Sequence, residues 1–196
     1  MNIILKKLTP ELCEDFLNYF DNVAFSDHEE WAYCYCLECH LDKKLNETMK
    51  DKNSRRELAR AFIERGVMQG YLAYDEEQVV GWCNTDDKVN YRYLYKDDEY
   101  VTKDAERGKI KVVYCYDIAP AYRGKGIAGL MLEKACADAK EEDFECVEVY
   151  PFSDEDFEWQ YHGTTKMYER HGFEEFSKRK WFTIMRKNLK LQDFTE

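Results

Sequence analysis

The sequence predicts one α+β domain in which helices pack on a mixed sheet. The first observation is the order of the predicted elements, which runs helix, helix, hairpin, strand, helix, strand, helix and strand pair. Hairpins give antiparallel neighbours and strand–helix–strand units give parallel ones, so together they require a mixed sheet. The second is that the 196 residues, 44% of them hydrophobic, suffice for one sizeable core and contain no credible linker. Residues 1–196 are therefore treated as a single domain.

Two helices are predicted in the first third of the chain. Thr9 and Pro10 indicate a helix start, because threonine caps a helix well and proline is favoured at the first helical position. Apolar residues then follow at helical spacing as far as residue 23. Ser54 and Glu57 have the spacing of a capping box, and Gly66 provides an end for the helix that they begin.

The remaining strands and helices are predicted from residue composition and from the glycines and prolines that end each element. Runs rich in β-branched and aromatic residues predict strands at 67–74, 78–84, 110–118 and 145–150, with a final pair in FEEF and RKWFTIM. Helices are predicted at about 125–140 and 162–171, the second ending at Gly172. Residues 86–108 are polar and rich in tyrosine and predict a long excursion, in which Tyr91, Tyr93 and Tyr95 alternate as in a short strand.

Charge and hydropathy narrow the class of partner. The net charge of −11 argues against nucleic acid, because phosphate binding requires a basic face. No apolar run approaches the roughly 20 residues that a membrane span requires, and the N-terminus turns polar and acidic too early for a signal peptide. We therefore expect a soluble cytoplasmic protein with neither nucleic acid nor a membrane as partner, and a homodimer stays open.

The stretch DIAPAYRGKGIAGLMLEK predicts an anion site. A strand ends, three glycines follow at Gly124, Gly126 and Gly129, and an amphipathic helix begins. Glycines let the backbone approach a ligand, and the free N–H groups of the first helical turn attract negative charge. Arg123 and Lys125 add positive charge. The spacing formally matches a dinucleotide fingerprint, but a Rossmann domain would begin with this strand, and the Gly-Lys-Ser/Thr of a P-loop is absent.

At these residues the sequence resembles the GNAT-family N-acetyltransferases. The family signature is a hydrophobic-x-Pro strand end followed by Arg/Gln-x-x-Gly-x-Gly/Ala, which here is Ile118, Ala119 and Pro120 and then Arg123, Gly126 and Ala128. A second stretch, KMYERHGFEEF at 166–176, resembles the C-terminal helix motif Tyr-x-x-x-Gly-Phe. The resemblance spans roughly 67–185. It implies a GNAT-like domain with three α/β/α layers and a mixed, mostly antiparallel sheet flanked by helices.

The resemblance also implies a reaction and its residues. Acetyl-CoA would be the acyl donor, and a primary amine of a small molecule or peptide would attack the thioester directly. The strand at 145–150 would diverge to admit the thioester, and Tyr168 would act as the general acid toward the leaving thiolate. The pantetheine arm and pyrophosphate would be held by Asp117, Ile118, Ala119, Arg123, Gly124, Lys125, Gly126, Ile127 and Ala128.

The general base is left open by the sequence. Asp117 lies at the end of the motif strand and, by alternation, shares a face with Cys115 and Val113. Glu148 and His162 are further candidates, and a chain of waters would serve equally well.

WAYCYCLECH, at 31–40, carries Cys34, Cys36 and Cys39. In a GNAT-like domain residues 1–65 would form the N-terminal helices and a wall of the acceptor site, so we expect Trp31, Cys34 and Tyr35 to bind substrate. The cysteines are too interleaved to form the two spaced pairs of a zinc site, and no metal is predicted. Redox chemistry is the other alternative to a pocket lining.

Two alternative functions remain at this stage. One is a catalytically silent regulator that binds acyl-CoA on the same fold, and the other is a nucleotide-binding module that uses the same glycines. CoA release against a panel of amines separates the enzyme from the regulator, and titration with acetyl-CoA, ATP and NAD tests the nucleotide module.

Overall fold

The computed structural model describes residues 1–91, 94, 109–153 and 160–190. Its seven strands are β1 (Ile3–Lys7), β2 (Gly70–Asp75), β3 (Gln78–Asp87), β4 (Ile110–Ile118), β5 (Cys146–Val149), β6 (Glu174–Lys178) and β7 (Thr183–Asn188). The α-helices in those ranges are α1 (Cys13–Asn22), α2 (Lys43–Thr48), α3 (Lys52–Glu64), α4 (Ile127–Glu141) and α5 (Thr165–Arg170). None of the helices within the described ranges is long and apolar enough to cross a membrane.

The strands form one sheet in the order β1-β2-β3-β4-β5-β7-β6. β4 and β5 are parallel, and every other neighbouring pair is antiparallel. The two faces of the sheet serve two separate cores, as the neighbouring residues Trp82 and Cys83 show on β3. α1 and α3 cover one face and α4 and α5 the other, so the prediction of a mixed, mostly antiparallel sheet between helices is confirmed.

Several element boundaries differ from the predictions for local reasons. β1 was not predicted, because five residues of alternating burial give little sequence signal. The Ser54 cap is wrong, since α3 begins at Lys52 and the Asp51 side chain accepts a hydrogen bond from the Ser54 N–H at 2.7 Å. The helix expected at 162–171 starts later, because Thr164 caps it. Of the three alternating tyrosines, Tyr93 and Tyr95 lie outside the described residues.

A β-bulge in β4 decides which side chains face α1. Asn84 pairs with Cys115 while Thr85 pairs with Val113, so Tyr114 is the extra residue. Tyr114 and Cys115 both join the core beneath α1, whereas Val113 lies in the core beneath α4. The expectation that Val113 and Cys115 share a face is therefore wrong, because the bulge interrupts the alternation.

One buried arginine organises the irregular segment between α1 and α3. Arg55 of α3 is 2% exposed. Its guanidinium donates hydrogen bonds to the carbonyls of Tyr33 (2.7 Å), Cys34 (3.1 Å) and Met49 (3.2 Å) and to Oδ1 of Asn46 (3.0 Å). These groups would otherwise lie in or near the interior without partners, which is costly. The Arg55 side chain thus holds the cysteine-rich segment against α3.

Replacing this arginine tests that role. Arg55→Met keeps an extended apolar stem but leaves four acceptors without their donor, so the free energy of unfolding should fall by on the order of 3 kcal/mol. Urea denaturation followed by circular dichroism measures the change. Arg60→Met is the control on the same helix: it removes an exposed ion pair with Glu14, which solvent screens, and should alter stability little. Equal losses in the two variants would contradict the anchoring role.

Candidate active site

The glycine-rich turn forms an open cradle at the N-terminus of α4. Gly124 and Gly126 have φ of 73° and 83°, in the left-handed region that favours glycine. Gly126 is the N-cap residue, and no side chain caps this end of the helix. A Cβ built on either glycine would meet nothing within 4 Å. Free amides and open space at the positive end of a 15-residue helix are what an anion requires.

The two cations beside the cradle are exposed and held at its rim. Arg123 donates from Nε to the Ile118 carbonyl at 3.0 Å, and its guanidinium forms an ion pair with Asp27. The hydrogen bond from Arg123 lowers the pKa of Asp27. Lys125 lies over the Tyr122 ring, 5.0 Å from its centroid. Arg123 therefore connects the turn to the segment that follows α1.

Gly129, the third glycine of the formal dinucleotide pattern, lies away from the cradle. A Cβ at this position would approach Nε2 of His171 to 3.2 Å. This glycine allows α4 to pack closely against the end of α5. Its role is thus packing. Topology argues against a dinucleotide fingerprint, because β4 is preceded by three strands and pairs antiparallel with β3, whereas a Rossmann domain begins with the strand before the glycines.

β4 and β5 separate at the point where the family's cleft is expected. Their pairing covers only Ile110–Val112 against 146–148, and β4 then continues to Ile118 with β3 on one side and, within the described residues, no strand on the other. A short segment at 160–163 crosses the gap, where the Tyr161 carbonyl accepts a hydrogen bond from the Tyr116 N–H at 2.7 Å. The ring of His162 is hydrogen-bonded to the Tyr114 carbonyl. The strand edge of β4 is therefore partly satisfied by this segment.

The residues at the end of β4 that were predicted to hold the cofactor differ in the direction of their main-chain N–H and C=O groups. The Asp117 carbonyl accepts a hydrogen bond from the Tyr19 hydroxyl at 2.8 Å, and the Ala119 N–H donates to the Val80 carbonyl at 3.0 Å. Both groups thus bond away from the gap. Because Tyr116 directs its N–H into the gap, Ile118 does the same by alternation. Tyr116 was not predicted as a site residue, and the bulge explains why its direction could not be read from the sequence.

Tyr168 lies on α5 with its side chain wholly buried. Its hydroxyl donates to the His162 carbonyl at 2.5 Å. Burial raises the pKa of Tyr168, so the hydroxyl stays protonated at neutral pH. Gly163 covers the same group, since a Cβ on Gly163 would lie 2.7 Å from the Tyr168 hydroxyl oxygen. Tyr168 has the protonation state of a general acid, with its proton directed at a backbone carbonyl in this conformation.

The candidate bases differ in their surroundings. Burial raises the pKa of Asp117 well above the usual aspartate value, and Cys36 adds to that rise. Burial lowers the pKa of His162 to about 4, so this ring is a weak base. Glu148 is wholly buried; its Oε1 accepts from Lys88 and Tyr150 and its Oε2 from Arg186. Both carboxylate oxygens of Glu148 are occupied, which leaves Asp117 as the most accessible base of the three.

The expected substrate wall is only partly exposed. Trp31 is half-buried and stacks on the His28 ring at 3.9 Å between centroids. Cys34 is half-buried. Burial raises the pKa of the Cys34 thiol, and the charges of Cys36 and then of nearby Asp117 add to that rise. Tyr35 is wholly buried and donates to Asp21 of α1 at 2.5 Å. Cys34 therefore lies nearest the end of β4, while the Tyr35 hydroxyl is committed to the core.

Asn84 is a buried polar residue of this region that sequence reasoning missed. It is 0% exposed on β3, and its amide contacts the sulfurs of Cys36 and Cys39. The available signal was an amide inside the otherwise apolar run VVGWCN. Within the described residues, no three His, Cys, Asp or Glu side chains are arranged to hold a metal ion.

Comparisons with known proteins agree with this geometry. The model of the GNAT acetyltransferase domain matches residues 68–175. No curated protein matches the chain significantly. Among solved structures, PaiA N-acetyltransferase from Thermoplasma acidophilum in complex with coenzyme A is similar, with a TM-score of 0.57, 15% identity and coverage of 96% of this chain and 99% of that one. A GNAT-family acetyltransferase from Listeria monocytogenes has a TM-score of 0.60, 13% identity and coverage of 95% and 94%.

A third similar structure is a chain of the NatC complex bound to Gag peptide and CoA. Its TM-score is 0.57, with 14% identity and coverage of 97% of this chain and 100% of that one. At these identities the neighbours establish the fold. Because the domain model covers more than half of the chain and includes both the glycine turn and Tyr168, this chain belongs to the GNAT family of acetyltransferases.

Proposed function

We propose that the protein is an acetyl-CoA-dependent N-acetyltransferase that acts on a primary amine of a small molecule or peptide. The observation that carries the proposal is the adjacency of an open, uncapped helix N-terminus and a strand edge that has lost its neighbour. The first suits a pyrophosphate and the second suits an amide-containing arm. PaiA and the NatC chain, two of the similar structures, contain coenzyme A.

The residues around the cradle have distinct roles in this proposal. Backbone amides of 124–128 would hold the pyrophosphate, with Arg123 and Lys125 at the rim. The N–H of Ile118, and that of Tyr116 once the Tyr161 carbonyl is displaced, would donate to the pantetheine arm, while the Ile118 carbonyl stays bonded to Arg123. Asp117 and Ala119 would line that path by position rather than through their main-chain polar groups, which bond elsewhere.

The proton transfers follow from the protonation states of Tyr168 and Asp117. Tyr168 would supply the proton that the leaving thiolate takes when a neutral amine attacks the thioester. Its hydroxyl would first have to leave the His162 carbonyl. Asp117 would accept the proton of the attacking amine, directly or through water, because its raised pKa makes it a stronger base than an ordinary aspartate. Acetyl-CoA supplies the acyl group.

Residues 1–65 would form the N-terminal helices and the acceptor wall, with Trp31 and Cys34 at its exposed side and Tyr35 supporting it. Cys34 is the member of this set that lies near Asp117. The eight cysteines are free thiols, a state that the cytoplasm maintains. We therefore place the reaction in the cytoplasm.

A catalytically silent acyl-CoA-binding regulator is the second candidate. The observation that favours it is that the Tyr168 hydroxyl is bonded to the His162 carbonyl and packed against Gly163. CoA release measured against a panel of amines separates the two functions, because a regulator would bind acetyl-CoA without releasing CoA to any amine.

Gly126→Glu tests the position of the cofactor. A carboxylate in the cradle would repel the pyrophosphate, so acetyl-CoA binding measured by calorimetry should be lost. Gly126→Ala is the matched control: it shares the backbone strain of a non-glycine residue at φ 83° but adds no charge, and should retain most of the affinity. A folded Gly126→Glu protein that binds acetyl-CoA as tightly as the parent would show that the pyrophosphate lies elsewhere.

Tyr168→Phe tests the general acid. The substitution keeps the buried ring but removes the proton donor, so kcat should fall by about 10²–10⁴-fold while acetyl-CoA affinity stays nearly constant. The loss should be smaller for an acyl donor with a more acidic thiol. Tyr71→Phe removes a comparable buried hydroxyl, bonded to Asp138 on the α4 face, and controls for stability. An unchanged kcat, with chemistry shown to be rate-limiting, would make Tyr168 a packing residue only.

A further inference from the structure

Three thiols from two elements meet beneath the acceptor wall. Cys36 and Cys39 come from the segment before α2 and Cys115 from β4, and all three are buried. Asn84 links the three residues, because it pairs across the strands with Cys115 and its amide contacts the sulfurs of Cys36 and Cys39. The thiols of Cys39 and Cys115 both interact with the Cys36 sulfur. We call these residues the thiol cluster. Its position beside the bulge of β4 is not explained by cofactor binding or by the proposed proton transfers.

N–H donors surround the Cys36 sulfur. Nδ2 of Asn84 lies 3.2 Å from Cys36 Sγ and 3.4 Å from Cys39 Sγ. The Tyr91 hydroxyl donates to Oδ1 of Asn84 at 2.7 Å, which turns the Nδ2 hydrogens toward the segment that carries the sulfurs. The same Nδ2 lies 3.3 Å from the Cys36 carbonyl oxygen and 3.2 Å from Nε2 of His40, so the sulfurs share its hydrogens with these acceptors. The indole N–H of Trp82 is wholly buried, has no hydrogen-bond partner of oxygen or nitrogen among the described residues, and interacts with Cys36. A buried donor without an acceptor is costly, and a thiolate at Cys36 would satisfy it.

The surroundings shift the pKa values of the Cys36 and Cys115 thiols in opposite directions. Burial raises the pKa of Cys36, but hydrogen bonds from Cys115, Cys39, Asn84 and Trp82 together lower it well below the usual thiol value. The hydrogen bond to Cys36, followed by burial, raises the pKa of Cys115. The donors directed at Cys36 therefore favour its thiolate and leave the proton on Cys115, which would suit an attacking and a resolving cysteine.

The backbone holds Cys36 in this position against its own preference. Tyr35 and Cys36 both have left-handed φ values, 44° and 47°. Such conformations are costly for non-glycine residues and persist only where the surroundings enforce them. Arg55 enforces this one by binding the carbonyls of Tyr33 and Cys34 immediately before the turn. Cys34 and Glu38, which flank the turn, are half-buried.

We propose that Cys36 is a peroxide-reactive cysteine and that Cys115 resolves it to a disulfide. The Cys36 thiolate attacks one oxygen of hydrogen peroxide, which forms an S–O bond, breaks the O–O bond and leaves Cys36 sulfenic acid and hydroxide. The Cys115 sulfur then attacks the Cys36 sulfur, which forms the S–S bond and releases water with the proton of Cys115. The two sulfurs lose two electrons in total, and the two peroxide oxygens gain them.

Cys115 is the preferred partner over Cys39 because of what each thiol contacts. The Cys39 thiol also donates to the Cys36 carbonyl at 3.8 Å, whereas the main interaction of the Cys115 thiol is with the Cys36 sulfur. A Cys36–Cys115 bond would tie the wall to β4 two residues before Asp117. If the proposed function holds, oxidation would therefore also reduce amine acetylation, and a dithiol would restore it.

The test maps oxidation on the whole protein without acetyl-CoA, so its result does not depend on the proposed function. Hydrogen peroxide is added, the reaction is quenched in acid, free thiols are alkylated under denaturing conditions, and non-reduced peptides are identified by mass spectrometry. We expect a Cys36–Cys115 cross-linked peptide that dithiothreitol removes. Cys136 should stay reduced as an internal control, since burial raises its pKa to about 11 on the other face of the sheet.

Variants separate the two chemical steps. Cys115→Ser should leave Cys36 as a sulfenic acid that dimedone traps, and Cys36→Ser should give no cross-link. Cys136→Ser is the matched control and should react like the parent. Cys36 should also alkylate in the native parent protein with a pH midpoint below that of a free thiol. Oxidation confined to Cys34, a Cys36–Cys39 disulfide, or a Cys36 that stays reduced would overturn the proposal.

Discussion

The separation of β4 from β5 is the constraint on which the site depends. Pairing stops at Val112 and Glu148, so the last part of β4 has no strand on that side. Unpaired main-chain groups in an interior are unfavourable, and the carbonyl of Tyr161 relieves one of them by accepting the Tyr116 N–H. The same strand ends in the glycine turn. The anion cradle and the strand edge therefore lie next to each other because β4 extends beyond the end of its pairing with β5.

A buried carboxylate fixes where that separation occurs. Glu148 is paired in register with Val112 on one side and with Arg186 on the other. Its carboxylate is wholly buried, and Lys88, Tyr150 and Arg186 all donate to it. A buried charge is tolerated only where its partners reach it, so β5 cannot slip relative to β4 and β7 without leaving Glu148 unpaired. The ion network thus contributes specificity of register, and it withdraws Glu148 from proton transfer.

The sequence predicted features that are set within one segment, and it missed features that depend on contacts between distant segments. The span of β4 and the glycine turn were predicted as observed, because dense β-branched residues and adjacent glycines act within their own segments. The bulge at Tyr114 depends on register with β3, and the cover over Tyr168 depends on residues that approach from 160–163. The start of α3 was missed for a similar reason. Asp51 and Ser54 are both good N-cap residues, and only the folded backbone shows that Asp51 is the one that caps the helix.

Residues 32–37 show how an irregular segment can acquire a defined shape. None of these six residues belongs to a helix or strand, so backbone ladders cannot order them. Two buried polar side chains take their place: Arg55 from α3 binds carbonyls on the outer side of the turn, and Asn84 from β3 binds sulfurs on the inner side. Both come from regular elements whose positions the sheet sets. The left-handed backbone at Tyr35 and Cys36 lies between these two anchors, so the same two side chains hold the turn and fix the position of the Cys36 sulfur.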